Sequence, residues 1–522
     1  MTVQAGFAAR PLTAGVAIVV IGVAVAGAAV LGLSLLRPVA LAFAFGGLVL
    51  AIPTFLVRDP KAYWLFLLVL TIPFEVSKHL TSWIVEPPDL VQDFGLPASG
   101  TVSVDLFLSD LMLLTMFVPW LVMLSLKQTR FYFPKVACIF LLYITVALAS
   151  SLITTTSLYL TMFEWCEELI YFTGFLYLVN NVTTRTQFRA VVLALFCGLT
   201  LASGSVITFF ALGIGTETYA YSWLYSNGTG EDSSVKKSSE EESVSTGVSH
   251  TEVSVKRSAG MFSHPAHAAY YMEFVLPIVL GYLLTMRRGL ERLLLGALFA
   301  AGCAALYLTF SRAGLVGLSV GITTLIALAG WLRLISHRSL MWCVVIIAAT
   351  VSVASPLLIY SLAARPESIT TRWELIQTAL NTISQRPIFG GGLNNSSAVV
   401  EGAHSVSTTS KGTQIQVRVV HNHYLIVLIE VGLVGFVLFF GFFWQVVVTA
   451  FRHMRAAEPE MKLLLTGTVS GLAAIAVHDL ADPSGGHPVV GMLWLFTALI
   501  IAGCRRVRAE RAPPRQGLAP EL

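Results

Sequence analysis

An all-α integral membrane fold is what the sequence predicts: a polytopic bundle of about 12–14 transmembrane helices with a large outward loop bearing an amphipathic helix. Three observations predict it. The 522 residues are 56% hydrophobic and 12% charged, against about 25% charged in a soluble protein. Windows such as 17–36 and 344–362 carry no charge, and each is long enough to cross a hydrocarbon core about 30 Å thick. Basic residues then recur in alternate connections between the apolar runs, which is the pattern of a chain crossing a membrane repeatedly.

Taken in order, the apolar runs place about fourteen spans. They lie near 14–36, 39–56, 62–75, 105–126, 136–154, 159–179, 189–213, 265–286, 290–310, 313–333, 340–363, 422–450, 461–478 and 488–504. The first run is read as a span rather than a cleaved signal, because no small-residue cleavage site and soluble domain follow it. "RDPK", "KQTRFYFPK", "TTRTQFR", "RRGLER", "RLISHR", "FRHMRAAEPEMK" and the tail "RRVRAERAPPR" all fall on one side of such a bundle. Basic residues favour the cytoplasmic side, so both termini are expected in the cytoplasm. The net charge of +4 adds little, and no nucleic-acid partner is expected. The six cysteines sit in or beside apolar runs without CxxC spacing, so neither a disulfide framework nor a zinc site is expected.

The chain divides into an N-terminal bundle (1–213), an outward loop with a polar insert (214–264), helices around an outward arginine hairpin (265–363), a large outward loop (364–421), C-terminal helices (422–504) and a basic tail (505–522). The insert "SNGTGEDSSVKKSSEEESVSTGVSH" is low in complexity and cannot bury apolar surface, so it is expected to be disordered. In the large loop, Trp373, Ile376, Leu380 and Ile383 recur at helical spacing. They predict an amphipathic helix lying on the outer membrane surface or, equally, packed on the protein.

The outward side collects the residues that can do chemistry. Arg257 precedes one span, Arg312 sits in a tight hairpin, and Arg372 is placed at the opening of the amphipathic helix. Lys78 and His79 are placed at the end of the third span. Cations on the outer side run against the positive-inside trend, and guanidinium forks suit phosphate oxygens. His421, Asn422 and His423 open a long apolar run. His421 is the candidate general base, since histidine can take a proton from a hydroxyl near neutral pH. Glu430 is placed about 13 Å further along that helix, out of reach of His421, where an intramembrane carboxylate should pair with a basic or hydroxyl group on a neighbour. Gly390 and Gly392 in "RPIFGGGLNN" suit a close backbone approach to a ligand, or a simple turn. No metal-ligand spacing is present.

The motifs in order are R-xx-G-x-F-xx-P (Arg257 to Pro265), TFSRAG (Thr309 to Gly314), R-W…RPIFGGG (Arg372 to Gly392) and H-N-x-Y-L…E-x-G-xx-G (His421 to Gly435). This series resembles the O-antigen ligase and polymerase superfamily of bacterial membrane glycosyltransferases. The resemblance implies metal-independent, inverting transfer at the outer face of the inner membrane, without a cofactor. The donor would be an undecaprenyl-diphosphate-linked oligosaccharide, and the acceptor a glycan or lipid A-core. By motif, Arg257, Arg312 and Arg372 would hold the diphosphate and glycan, and His421 would be the base. Asn422, His423, Glu430, Lys78, Gly390 and Gly392 would support them. Membrane lipids, and a chain-length regulator in the polymerase case, are the further partners implied. Typical ligases are shorter, and the extra span pair and polar insert favour a polymerase joining repeat units over a ligase. A lipid-linked glycan transporter is the alternative of another class. It would show internal repeats and charges deep in several spans, and no repeat is evident.

Overall fold

The computed structural model describes residues 54, 56–74, 77–85, 100–154, 158–214, 216–221, 253–286, 289–336, 341, 366–396, 404–409, 412–417, 420–483 and 485–511. Twelve helices and six short strands lie among them. The helices are α1 (Pro60–Thr71), α2 (Leu108–Ser125), α3 (Ala137–Thr154), α4 (Leu158–Asn181), α5 (Arg185–Leu212), α6 (Pro265–Thr285), α7 (Gly289–Leu308), α8 (Arg312–Trp331), α9 (Pro366–Gln385), α10 (His423–Met454), α11 (Pro459–His478) and α12 (His487–Arg511). Among the described residues, nine of these are long and apolar enough to cross a membrane: α2, α3, α5 to α8, and α10 to α12. The protein is an all-α polytopic membrane protein.

Eleven of the fourteen expected spans fall on described helices; 14–36, 39–56 and 340–363 lie outside the described residues, as does the polar insert. The third span is the 12-residue α1. The sixth is α4, which carries Glu164, Glu167 and Glu168.

Local signals set the helix starts. Asp59 caps α1, its carboxyl accepting from Ala62 N at 3.0 Å ahead of Pro60. Thr184 and Gln187 form a reciprocal capping box at α5, Ser311 caps α8, and His264 caps α6 in front of Pro265. Each satisfies an N–H that the first helical turn would leave without a partner.

Two packing zones make the core. In one, aromatic rings from α3, α4, α10 and α12 interlock, with Phe140 at 4.6 Å from Trp494 and 5.1 Å from Phe442. In the other, α6, α8 and α11 approach closely over small residues: a Cβ at Gly321 would lie 3.0 Å from that of Ala474, and one at Gly471 would lie 2.8 Å from the Phe274 carbonyl. Small residues at such crossings let helix backbones approach, which drives association where lipid removes the hydrophobic incentive.

The loops between spans contain strands that the apolar pattern did not predict. β1 (Ser77–Val85) pairs with β2 (Gly100–Phe107), β3 (Thr216–Tyr221) with β4 (Val253–Ser258), and β5 (His404–Thr409) with β6 (Gly412–Val417), all antiparallel. Lys78 and His79 therefore do not end a span. They lie in β1, with Lys78 opposite Leu106 and His79 opposite Asp105.

The largest correction concerns α10, expected as one long membrane helix running inward from His421. Gly432 has φ 62° and ψ −170°, and the helix breaks there. Tyr424 stacks on Phe440 at 4.7 Å, and His423 lies 6.4 Å from the same ring. Sixteen residues of continuous helix would separate Tyr424 and Phe440 by about 24 Å. The chain instead climbs through 423–431, turns at Gly432, and descends through 433–454. Only the second limb, about 33 Å long, is a full crossing. Glu430 is thus near the apex of a helical hairpin and not further down a span.

Candidate functional site

The turn after α11 is where the site is assembled. Every carbonyl from His478 to Asp482 has a partner, and four of the five are held by three other elements. His478 O accepts from Ala481 N at 2.8 Å, and Asp479 O from His423 N at 2.9 Å. Leu480 O accepts from Asn422 Nδ2 at 3.1 Å, Ala481 O from Arg372 Nη1 at 3.0 Å, and Asp482 O lies 2.8 Å from the Tyr270 hydroxyl. Helix C-termini leave such carbonyls open. Here they are used to gather α6, α9 and the start of α10 around one turn.

That gathering places His421 beside Asp482. Nδ1 of the imidazole is 3.1 Å from Asp482 Oδ1, with the histidine 43% and the aspartate 28% exposed. Burial pushes the Asp482 carboxyl up. The hydrogen bond and charge of His421 oppose it, with His478 and Arg372 adding to them, and the net result lies below the usual 3.8. An ionised carboxylate at Nδ1 holds the proton on that nitrogen and leaves Nε2 as the acceptor. Asp482 was not among the expected site residues. It sits in a short inter-span loop, and only the folded turn brings it to His421 across 61 residues.

Asn422 is structural in this arrangement: it caps α10, accepting from Leu425 N at 3.0 Å, while its amide holds Leu480 O. His423 turns inward toward Phe439 and Phe440, away from the exposed His421. Tyr424 donates to Ala476 O at 2.6 Å and ties the same limb to α11.

The arginines lie on different elements, and of the three Arg372 is the one bonded to this turn. Arg312 is the first residue of α8. Arg257, from β4, donates its Nε to Thr309 O at 2.9 Å, three residues before Arg312. Arg257 and Arg312 therefore flank the α7–α8 turn. Arg372 lies in the second turn of α9, not at its opening, because the helix begins at Pro366. Among the described residues, neither Arg312 nor Arg372 forms an ion pair. The side chain of Lys78 lies outside the described residues.

Helix α9 packs on the rising limb of α10 through Ala379, against Val420, Leu425, Ile426 and Ile429, with Leu375 and Thr382 also buried. The expected apolar stripe is thus split: Ile383 joins this contact, while Trp373 (58% exposed) and Leu380 (51%) face away from the protein.

The glycine segment closes the break in α10. Gly391 N and Gly392 N donate to Ile429 O at 2.7 Å and Glu430 O at 2.8 Å, while Leu433 N and Val434 N donate to Pro387 O at 2.9 Å and Ile388 O at 3.3 Å. These bonds replace the helical ones lost at Gly432, as backbone inside a low-dielectric region requires. A Cβ at Gly390 would lie 2.5 Å from Glu430 O, and one at Gly432 would run into Ile388 O. Gly390 and Gly392, with φ +72° and +102°, therefore serve a protein–protein backbone contact. Glu430 belongs to the same splice, accepting from the Ser396 hydroxyl and from the N–H groups of Asn394 and Ser396. Its partner is this loop and not a neighbouring helix. Ser150 donates to Phe389 O, and Leu393 N to Ser151 Oγ at 3.1 Å, fastening the segment to α3.

A second polar group lies apart from His421. His487, at the start of α12, has Nε2 at 2.7 Å from Ser109 Oγ and Nδ1 at 2.8 Å from the Tyr171 hydroxyl, with Phe107 stacked on its face. Among the described residues, no cluster of three or more His, Cys, Asp or Glu has metal-binding geometry.

Residues 296–440 match the family model described as O-antigen ligase. Over that stretch the chain is similar to O-antigen ligase. The match supports the O-antigen ligase and polymerase superfamily, and with nine apolar spans it supports a multi-pass membrane glycosyltransferase of ligase or polymerase type acting on a lipid-linked glycan and an acceptor. The matched residues include Arg312, Arg372, His421, Glu430 and the glycine segment; Arg257, Tyr270 and Asp482 lie outside them. A comparison with curated protein sequences finds no match.

Proposed function

We propose that the chain transfers a glycan from undecaprenyl diphosphate to a sugar hydroxyl at the outer face of the bacterial inner membrane, with His421 as general base. The observation that carries this reading is the His421–Asp482 pair: an exposed imidazole oriented by a carboxylate, as a base requires. The acceptor hydroxyl gives its proton to Nε2 of His421 as its oxygen attacks the anomeric carbon. The bond from that carbon to the diphosphate oxygen breaks, and undecaprenyl diphosphate leaves. One displacement inverts the anomeric configuration. Negative charge grows on the leaving diphosphate, and in this reading Arg312, Arg372 and Arg257 are the cations that stabilise it. Arginine supplies this charge without a metal. In this reading the His421 end faces the periplasm, both termini are cytoplasmic, and Trp373 and Leu380 of α9 rest in the lipid interface beside the donor.

Polymerisation of repeat units is the preferred activity, on the ground of the extra span pair and the polar insert read from the sequence. The test compares surface glycan from cells carrying the native chain and His421→Ala, at matched expression, on a gel that resolves polymer length. Loss of polymer with single repeats still attached to lipid A-core fits a polymerase using His421. Loss of attachment with lipid-linked polymer accumulating assigns the ligase activity. An unchanged ladder removes His421 as the base.

A further inference from the structure

Beneath the 478–482 turn lies a polar pair with no role in the transfer just described. His478 Nδ1 is 2.6 Å from Glu273 Oε1, and both side chains are 0% exposed. The second carboxyl oxygen and the second ring nitrogen have no hydrogen-bond partner. α8 accommodates the carboxylate with a glycine, because any Cβ at Gly317 would collide with Glu273 Oε2. An apolar pair of similar volume would hold three helices together at lower cost, since a buried polar pair loses hydration it only partly recovers. Packing alone therefore does not account for Glu273 and His478.

What the pair does locally is fix one ring. Glu273 sets the orientation of the His478 imidazole, and Tyr270 lies flat on that imidazole at 3.8 Å and 11°. The Tyr270 hydroxyl then lies 2.9 Å from Asp479 Oδ1 and 2.8 Å from Asp482 O. The contacts run without interruption from Glu273 through His478 and Tyr270 to the backbone of the residue whose carboxylate meets His421.

We propose that Glu273, His478 and Tyr270 form a positioning column that holds Asp482 against His421. The column touches no reacting atom. It acts through the placement of one carboxylate, and it rests on the reading of His421 as the base.

The test uses the full-length chain in lipid bilayers, with undecaprenyl-diphosphate-linked glycan extracted from cells that lack this protein. Tyr270→Phe keeps the stacked ring and removes only the hydroxyl. It should lower kcat about tenfold and leave KM within about twofold, the signature of lost transition-state stabilisation without lost binding. Glu273→Ala should do the same, and Glu273→Gln should restore most of the rate, because its amide oxygen still accepts from His478. In an Asp482→Asn background, Tyr270→Phe should cost less than about twofold more, since residues that act through one group are not additive. A full tenfold loss in that background, a change confined to KM, or an unaltered rate in Tyr270→Phe overturns the column. If Glu273→Ala does not fold, the Tyr270→Phe cycle decides alone. Full activity in both His421→Ala and Asp482→Asn would instead overturn the base assignment, and the column with it.

Discussion

The two ends of the helix bundle differ in how many of their arginines meet carboxylates. At the end away from His421, three of them do, although Arg505 and Arg506 also donate to the main-chain carbonyls of Val179 and Thr183. Arg189 meets Glu460 through two bonds of 2.7 and 2.9 Å, Arg185 meets Glu458, and Arg506 meets Glu510 at 2.7 Å. Arg505 lies over the Tyr132 ring at 4.6 Å and Arg455 over Trp331 at 4.4 Å. At the His421 end, Arg257 and Arg372 each give an N–H to a main-chain carbonyl. Among the described residues Arg372 forms no ion pair, so its formal charge stays in place. The carboxylate pairs neutralise charge within the fold, and Arg372 keeps a charge that can face something outside it.

The sharpest way to break this contrast is at the base. His421→Ala should lower glycan transfer by about 10²- to 10⁴-fold, the usual contribution of general acid–base catalysis, with at most a small shift in the unfolding midpoint. Product formed per unit of protein in membranes, with the midpoint measured beside it, checks both halves. A rate within twofold of native would end the distinction between the two ends.

Substitution at the splice should act on folding instead. Gly432→Ala places a side chain in a left-handed conformation and against Ile388 O. Such strain costs about 1–3 kcal/mol before the clash is relieved. The expected outcome is a lowered unfolding midpoint and a loss of activity in proportion to the folded fraction. A stable but inactive protein would move the glycine segment from the scaffold into the site.

The splice also marks how far the sequence could be read. Apolar run length and alternating basic loops located eleven described helices, because a span's hydropathy is intrinsic to its own residues, and misread the shape of one, α10. The hairpin in α10 escaped that reasoning. Its two limbs are both apolar, and the only local sign is one glycine in "EVGLVG", which is common in membrane helices. What breaks the helix is a backbone exchange with Gly391 and Gly392, about forty positions earlier, and no periodicity reports that. The same limit hid Asp482. His421 was legible as an unusual residue at a boundary, but its partner is set by the α11 turn. The β hairpins lie in polar loops, where overall polarity masks the alternation of "TVSVDLF" and "VSVKRS".

An effect on transfer smaller than that of His421 is expected from the arginines. Arg372→Ala should reduce kcat/KM by about 10- to 100-fold, the range of one charge-assisted contact to a developing anion. Arg372→Lys should recover only part, since an ammonium lacks the planar fork. Titration with inorganic diphosphate as competitive inhibitor should weaken in parallel. Equal inhibition of native and variant would assign Arg372 to holding Ala481 O alone.

Acid should act more gently. Asp482 has a folded value below its unfolded one, so its contribution to stability is present above the unfolded value and is lost as pH falls through the folded value. The window therefore lies below about pH 4. Native protein should lose stability there faster than Asp482→Asn, which has no carboxylate to protonate. Because His421 is 43% exposed, solvent screening keeps the difference small. Parallel acid profiles for the two proteins would mean that the pair adds nothing to folding.

The smallest effect is expected where the contacts look strongest. The Arg189–Glu460 pair is bidentate, yet its side chains are 65% and 41% exposed. Water and salt screen such pairs, and holding two long side chains in register costs entropy that offsets most of the attraction. Arg189→Ala and Glu460→Gln should therefore leave both the unfolding midpoint and the transfer rate at native values, at low and high salt alike. A transfer defect in either variant would show that charge at this end also reaches the reaction. The line between neutralised and oriented arginines would then need to be drawn by position in the bundle and not by pairing.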